Sequence, residues 1–174
     1  MDPFATLGVS RRFDLDLATL EKTHRELSRA LHPDKFAQAG ASERREALER
    51  AAQVNEAWRI VRDPIKRAEA LFRLAGAAVG ETNEPKATPS FLMDVMEQRE
   101  ALAEARAKRD LSKVRELGDA VASRMKNAEA KIAGGFGDGA SEDRVKALLP
   151  VLGELRFYKR FLDEVSAIED EQDQ

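Results

Sequence analysis

The stretch RALHPDKFAQ, Arg29 to Gln38, decides how this chain is read. A segment of good helix formers runs into it and meets His32-Pro33-Asp34. Proline removes a backbone donor and pushes the preceding residue out of the helical region. The helix must therefore stop near Leu31, and a polar triplet is left on display at its end.

Upstream, FDLDLATLEKTHRELSRAL offers Asp14 or Asp16 as the N-cap of a helix running to about Leu31. Its apolar residues Leu17, Leu20, Leu27 and Leu31 are spaced 3, 7 and 4, a helical stripe with one gap filled by His24. Downstream, FAQAGAS is a loop of small residues, and Ser42 is expected to cap the next helix. Glu43 and Glu46 favour the positive end of that helix. Its stripe is Ala47, Ala51, Val54, Trp58 and Val61, spaced 4, 3, 4 and 3. A leucine stripe and an alanine-tryptophan stripe complement each other, which predicts an antiparallel helix hairpin with the triplet at its turn. Asp63-Pro64 starts another helix, with aspartate as cap and proline at the first position, and Gly76 ends it. Ahead of the hairpin, a short element from Pro3 to Leu7 puts Phe4 and Leu7 on one side, and Gly8 ends it.

Residues 76–90, GAAVGETNEPKATPS, have two glycines, two prolines and no periodicity, so they read as a linker. The expected organisation is a first domain at 1–76, a linker at 77–89 and a second domain at 90–174. In the second domain a helix is expected from Ser90, as cap, to Ala107. Another runs from Asp110 to Ala133, with Leu111, Val114, Leu117, Val121, Met125, Ala128 and Ile132 on one face. After the loop GGFGDG, a last helix is expected from Ser141 to Ile168, kinked at Pro150. Three amphipathic helices with short connections predict an antiparallel bundle. The fold class is all-α, because no apolar run alternates with period two.

Composition narrows the function. Charged residues make up 35% of the 174, with both signs mixed, and the net charge of −3 argues against a generic nucleic-acid binder. The absence of cysteine excludes disulfides, thiolate metal sites and a cysteine nucleophile. No apolar run approaches the length of a membrane span, and MDPFATLGVSRR has no basic region ahead of its apolar residues, so cytoplasm is the expectation. The glycine loop fails the GxGxxG spacing and follows no strand, so no nucleotide site is expected there.

At ~100° per residue, Lys22, Arg25 and Arg29 fall opposite the leucine stripe. They form a cationic ridge running towards Lys35 and the triplet. Such a ridge suits an acidic protein groove by steering and charge-assisted contact, although charge at this spacing is in most helices only a solvated face. An enzymatic reading would make His32 and Asp34 an acid–base pair and His24 a second base or metal ligand. Two histidines eight apart do not make a metal site, and no serine is placed as a nucleophile. His24, within the leucine stripe, reads as a satisfied core or semi-core residue. No catalytic, metal or cofactor residue is therefore assigned.

LHPDKF, joining a leucine-striped, basic-faced helix to a helix containing VNEAWRIVRDP, resembles a J-domain. J-domains stimulate ATP hydrolysis by DnaK-type chaperones. The resemblance, over about residues 1–75, implies that His32, Pro33 and Asp34 trigger the chaperone ATPase and that Lys22, Arg25, Arg29 and Lys35 dock.

In the second domain, Phe91, Val95, Gln98, Leu102 and Ala105 form a stripe sufficient to pack a bundle. Leu92, Met93 and Met96 fall off it, flanked by Glu97 and Glu100. After Pro150, the stripe Leu155, Tyr158, Leu162 and Val165 accounts for packing, and Phe157 and Phe161 fall on another side beside Arg156 and Arg160. Apolar residues beyond core needs suggest a partner patch, unless the bundle simply has wide apolar faces. FLMDVMEQREAL and ELRFYKRFL behind such a J-domain look like the HscB family, over essentially the whole chain. That resemblance implies an L-shaped all-α co-chaperone of iron–sulfur cluster assembly. Its J-domain would act on the chaperone HscA, and its three-helix bundle would bind the cluster scaffold IscU. Matching positions imply scaffold contacts at Leu92, Met93, Met96, Glu97, Glu100, Arg156 and Phe157. The alternatives are a J-protein with another client, or a helical interaction module in which the triplet is a plain turn.

Overall fold

The computed structural model describes residues 1–80, 87–136 and 142–172. Among the described residues every regular element is helical. The chain divides into two compact units, one built on Met1–Ala77 and the other on Ala78–Gly135 with the last two helices.

The first unit contains α1 (Pro3–Thr6), α2 (Leu17–Ala30), α3 (Ala41–Arg62) and α4 (Pro64–Leu74). Asp16 caps α2, accepting from the amides of Ala18 and Thr19. Asp14, the other cap candidate, pairs with Arg12 at 2.8 Å. The hairpin forms as expected: α2 packs on α3, and His24 of α2 stacks on Trp58 of α3, rings 5.0 Å apart and 12° from parallel. Leu20 is buried in the hairpin and Leu17 is exposed, so the stripe is used from its second residue onward. Ser42 is not the cap of α3. The N-cap is Gly40, without a side-chain hydrogen bond, and Ser42 lies inside the first turn.

Asp63 caps α4, accepting from Ile65 N and Lys66 N at 2.9 and 3.0 Å, with Pro64 at the first position. The break between α3 and α4 strands carbonyls at the end of α3. Arg67 answers one of them, donating from Nη1 to Val61 O at 2.8 Å while its guanidinium lies 4.5 Å over the Phe13 ring. Phe4 and Leu7 are buried, and α1 packs on α3. Burying a side chain of that size contributes roughly 1.5–3 kcal/mol.

The second unit contains α5 (Pro89–Ala107), α6 (Leu111–Gly135), α7 (Glu142–Ala147) and α8 (Leu149–Gln172). Thr88, not Ser90, caps α5, accepting from Phe91 N, because Pro89 is preset for the first helical position. Cross-helix pairs fix the topology. Asp94 in the first half of α5 meets Arg124 just past the middle of α6, and Arg115 early in α6 meets Glu169 late in α8. Thus α6 runs antiparallel to both neighbours. α5 and α8 run parallel, with Phe91 in the first turn of α5 against Phe157 in the first half of α8 and Arg106 against Glu171 near their ends.

The expected face of α6 is used: Val114, Val121, Ala128 and Ile132 are buried. Gly118 lets α8 approach, since a Cβ there would lie 3.1 Å from Val165 Cγ1. α6 continues through Gly134 and Gly135, two residues expected in the loop, while Gly137–Gly139 lie outside the described residues. The expected kink at Pro150 is a full break. α7 ends at Ala147, Leu148 is a turn, and α8 restarts at Leu149 with the proline in its first turn, where its missing donor costs nothing. Phe157 and Phe161 correct the expectation of a surplus face. They are 6% and 0% exposed, because α8 packs along α6 and also meets Phe91 of α5, which needs a wider apolar arc than one stripe.

Candidate functional site

The triplet sits on one 3-10 turn, Pro33–Phe36, directly after α2. His32 is extended (φ −61°, ψ 134°), as a residue before proline must be, and Pro33 starts the turn. His32 Nδ1 accepts from the Asp34 amide at 3.3 Å, and the Lys35 amide donates to His32 O at 3.0 Å. With Nδ1 accepting, the neutral ring carries its proton on Nε2. The same Nδ1 lies 3.4 Å from Asp34 Oδ2, a contact that becomes an ion pair only when the ring is protonated. The Asp34 side chain is 90% exposed and that of His32 58%. The triplet is therefore ordered by its own backbone and offers its side chains outward.

The turn packs on α3, with a depression of about 170 Å³ lined by Leu31, Phe36, Ala47, Glu43, Glu46 and Arg50. Phe36 and Ala47 line the depression under the turn; Ala47 was expected only as part of the α3 stripe, and Phe36 was given no role. Their signal was the aromatic that closes LHPDKF and the small residue opening the α3 stripe.

Lys22, Arg25, Arg29 and Lys35 are all exposed. Arg25 is held by Glu21 one helical turn earlier. No ion pair among the described residues involves Lys22, Arg29 or Lys35, so these three cations are available to a partner. His24 is not among the outward groups. It is half-buried, its Nε2 lies 3.0 Å from Asn55 Oδ1, and Ser28 Oγ lies 3.3 Å away. It ties Asn55 and Trp58 of the VNEAWRIVRDP segment to α2. Among the described residues no group of three or more His, Asp or Glu could hold a metal. No helix of the described residues is long and apolar enough to cross a membrane.

The second feature is on α5. At ~100° per residue the stripe Phe91, Val95, Gln98, Leu102 and Ala105 spans one side, while Leu92, Met93, Met96, Glu97 and Glu100 fall on the opposite one. Leu102 and Ala105 are buried, whereas Leu92, Met93 and Met96 are 50%, 63% and 70% exposed. Glu97 and Glu100 are exposed beside them. α5 is thus apolar on two opposite faces, and only one is consumed by the bundle.

Of the residues expected on α8, Arg156 is half-buried and Phe157 buried. Phe157 packs edge-on against Phe91 (5.9 Å) and Tyr158 (5.8 Å), so it underlies the first turn of α5 rather than joining the exposed face. Burial pushes the Tyr158 hydroxyl pKa up, and Glu154 adds to the shift.

Comparison with known proteins gives consistent matches. The DnaJ domain model matches residues 2–70, and the HSCB C-terminal oligomerisation domain model matches residues 87–166. The chain is 36% identical over 171 residues to the co-chaperone protein HscB homolog of Shewanella oneidensis, covering 98% of each. It is 32% identical over 164 residues to that of Burkholderia thailandensis, covering 94% of this chain and 91% of the relative. Among solved structures it is similar to chaperone HscB from Vibrio cholerae, with TM-score 0.83 at 30% identity, over 98% and 99% of the two chains. The human co-chaperone protein HscB shares the fold, with TM-score 0.85 at 24% identity, over 97% of this chain and 82% of that one.

Proposed function

The chain belongs to the HscB family of J-domain co-chaperones, and from that premise we propose that it couples an HscA-like, DnaK-type chaperone to the iron–sulfur scaffold IscU. The first unit docks on the chaperone and stimulates its ATP hydrolysis. The second unit holds the scaffold and delivers it, in support of cluster assembly. The chain contributes no catalytic group and no cofactor, since nucleotide chemistry belongs to the partner. We place this activity in the cytoplasm, where a cysteine-free chain fits the reducing conditions.

The observation that carries the proposal is the exposed, self-ordered His32-Pro33-Asp34 turn at the end of a cation-faced helix. Pro33 and the two short hydrogen-bonded connections fix the turn before docking, so little ordering entropy is lost on association. Asp34 presents a carboxylate to a basic group of the chaperone, and His32 presents Nε2–H. Lys22, Arg29 and Lys35, with Arg25 released from Glu21, steer and register the encounter.

The scaffold reading rests on the opposite-face pattern of α5. Leu92, Met93 and Met96 form the contact, Glu97 and Glu100 edge it, Arg156 lies on α8, and Phe157 supports the first turn from beneath. The test is the chaperone's steady-state ATPase rate. Wild-type chain raises it and His32→Gln does not; equal stimulation by the variant overturns the J-domain mechanism.

A further inference from the structure

We propose that Met93 and Met96 are a reversible oxidation site, and that their conversion to sulfoxide switches off the α5 contact face. This rests on the scaffold reading above and adds a regulation to it. The chain has four methionines and no cysteine, so the thiol route by which proteins ordinarily sense peroxide is absent. Thioether sulfur is the remaining readily oxidised group. Two of the four methionines lie three residues apart on the apolar face of α5 that the bundle leaves open, at 63% and 70% exposure, while Met1, 68% exposed, belongs to the first unit. Met125, by contrast, is half-buried on the bundle side of α6.

The oxidant is a peroxide. A sulfur lone pair attacks one peroxide oxygen, an S–O bond forms and the O–O bond breaks. The departing hydroxide takes the proton left on the transferred oxygen and leaves as water. Sulfur loses two electrons and the peroxide gains them. The product carries a strongly polarised S–O group where a flexible apolar side chain stood. On free α5 that group is solvated and costs the fold little, because neither sulfur is part of the core. Against a partner's apolar surface it must be desolvated without a donor, which opposes binding. Glu97 and Glu100 are acceptors only and cannot supply that donor. A sulfoxide reductase restores the thioether, so the switch is reversible.

The experiment treats the intact chain with hydrogen peroxide, removes the peroxide with catalase, and then reads two things. Peptide mass mapping is expected to find Met93 and Met96 oxidised at least fivefold faster than Met125, with the helical circular dichroism unchanged. Calorimetric titration with purified IscU-type scaffold is expected to show at least tenfold weaker binding after treatment, recovered on incubation with a methionine sulfoxide reductase. Met93→Leu/Met96→Leu is expected to bind equally before and after peroxide, whatever its starting affinity. Equal oxidation of all methionines, an unchanged affinity after oxidation, or peroxide sensitivity of the leucine variant overturns the switch. If the untreated chain does not bind the scaffold, the scaffold reading falls and takes the switch with it. A chain that binds before and after treatment overturns the switch alone.

Discussion

Arg67 shows what one side chain does in a fold this small. It is the buried charged residue among the described residues, and no stripe or motif marks it. Its role is visible only once α3 ends and α4 turns away, leaving Val61 O in need of a donor. A buried carbonyl left without a partner costs about 1–3 kcal/mol, and a cation–π contact such as that with Phe13 adds up to about 2. Arg67→Met, which keeps the volume and removes the donors, is expected to lower unfolding stability by about 1–5 kcal/mol by these two terms. A urea midpoint that shifts without a change in slope checks this. His24 was readable at the same scale because its place in a leucine stripe already demanded a partner, and Asn55, Ser28 and Trp58 supply it. The caps were half readable. Asp16 and Asp63 sit where a carboxylate must, whereas Ser42 and Ser90 lost the position to Gly40 and Thr88, each two residues earlier, a shift that side-chain preference alone does not resolve.

Among elements, α2 has a pH-sensitive start. The Asp16 pKa lies below the ordinary carboxylate range, chiefly through the hydrogen bond from the Thr19 hydroxyl and then the Thr19 amide. A carboxyl depressed by folding stabilises fully above its unfolded pKa, near about 4. That contribution is lost as pH falls through the lower, folded value. Asp16→Ala is therefore expected to lower the melting temperature at pH 7 and to have a much smaller effect near pH 2, read by circular dichroism. α5 was legible down to its two faces, because apolar residues outside a sufficient core stripe have to go somewhere. α8 misled for the same reason applied too strictly: one stripe was counted where two neighbours are packed. The distinction yields a separation of variants. Leu92→Ala/Met96→Ala removes exposed side chains and is expected to leave the melting temperature within a few degrees while weakening scaffold binding at least tenfold. Phe157→Ala opens a cavity beneath Phe91 and is expected to cost about 3–5 kcal/mol of stability. An unchanged scaffold affinity for the double variant removes the α5 face from the proposal.

Across the whole molecule, each unit presents its own surface and the two surfaces differ in kind. The first presents Lys22, Arg29 and Lys35 beside a polar turn. The second presents an apolar face edged by two acids. Salt shortens the Debye length from about 8 Å at physiological strength to about 3 Å at 1 M. Raising salt is expected to weaken chaperone docking steeply and scaffold docking only slightly, as two titrations at 0.1 and 0.5 M salt reveal. The helical class was legible because periodicity, proline and glycine act locally. Which partners the surfaces fit rests on the family rather than on any single residue. The most direct test measures ATP turnover by the HscA-type chaperone with scaffold present, adding wild-type chain, His32→Gln or Leu92→Ala/Met96→Ala. The coupling account predicts strong stimulation by wild type, none by His32→Gln, and stimulation without the scaffold-dependent increment for the double variant. Stimulation by His32→Gln equal to wild type contradicts it.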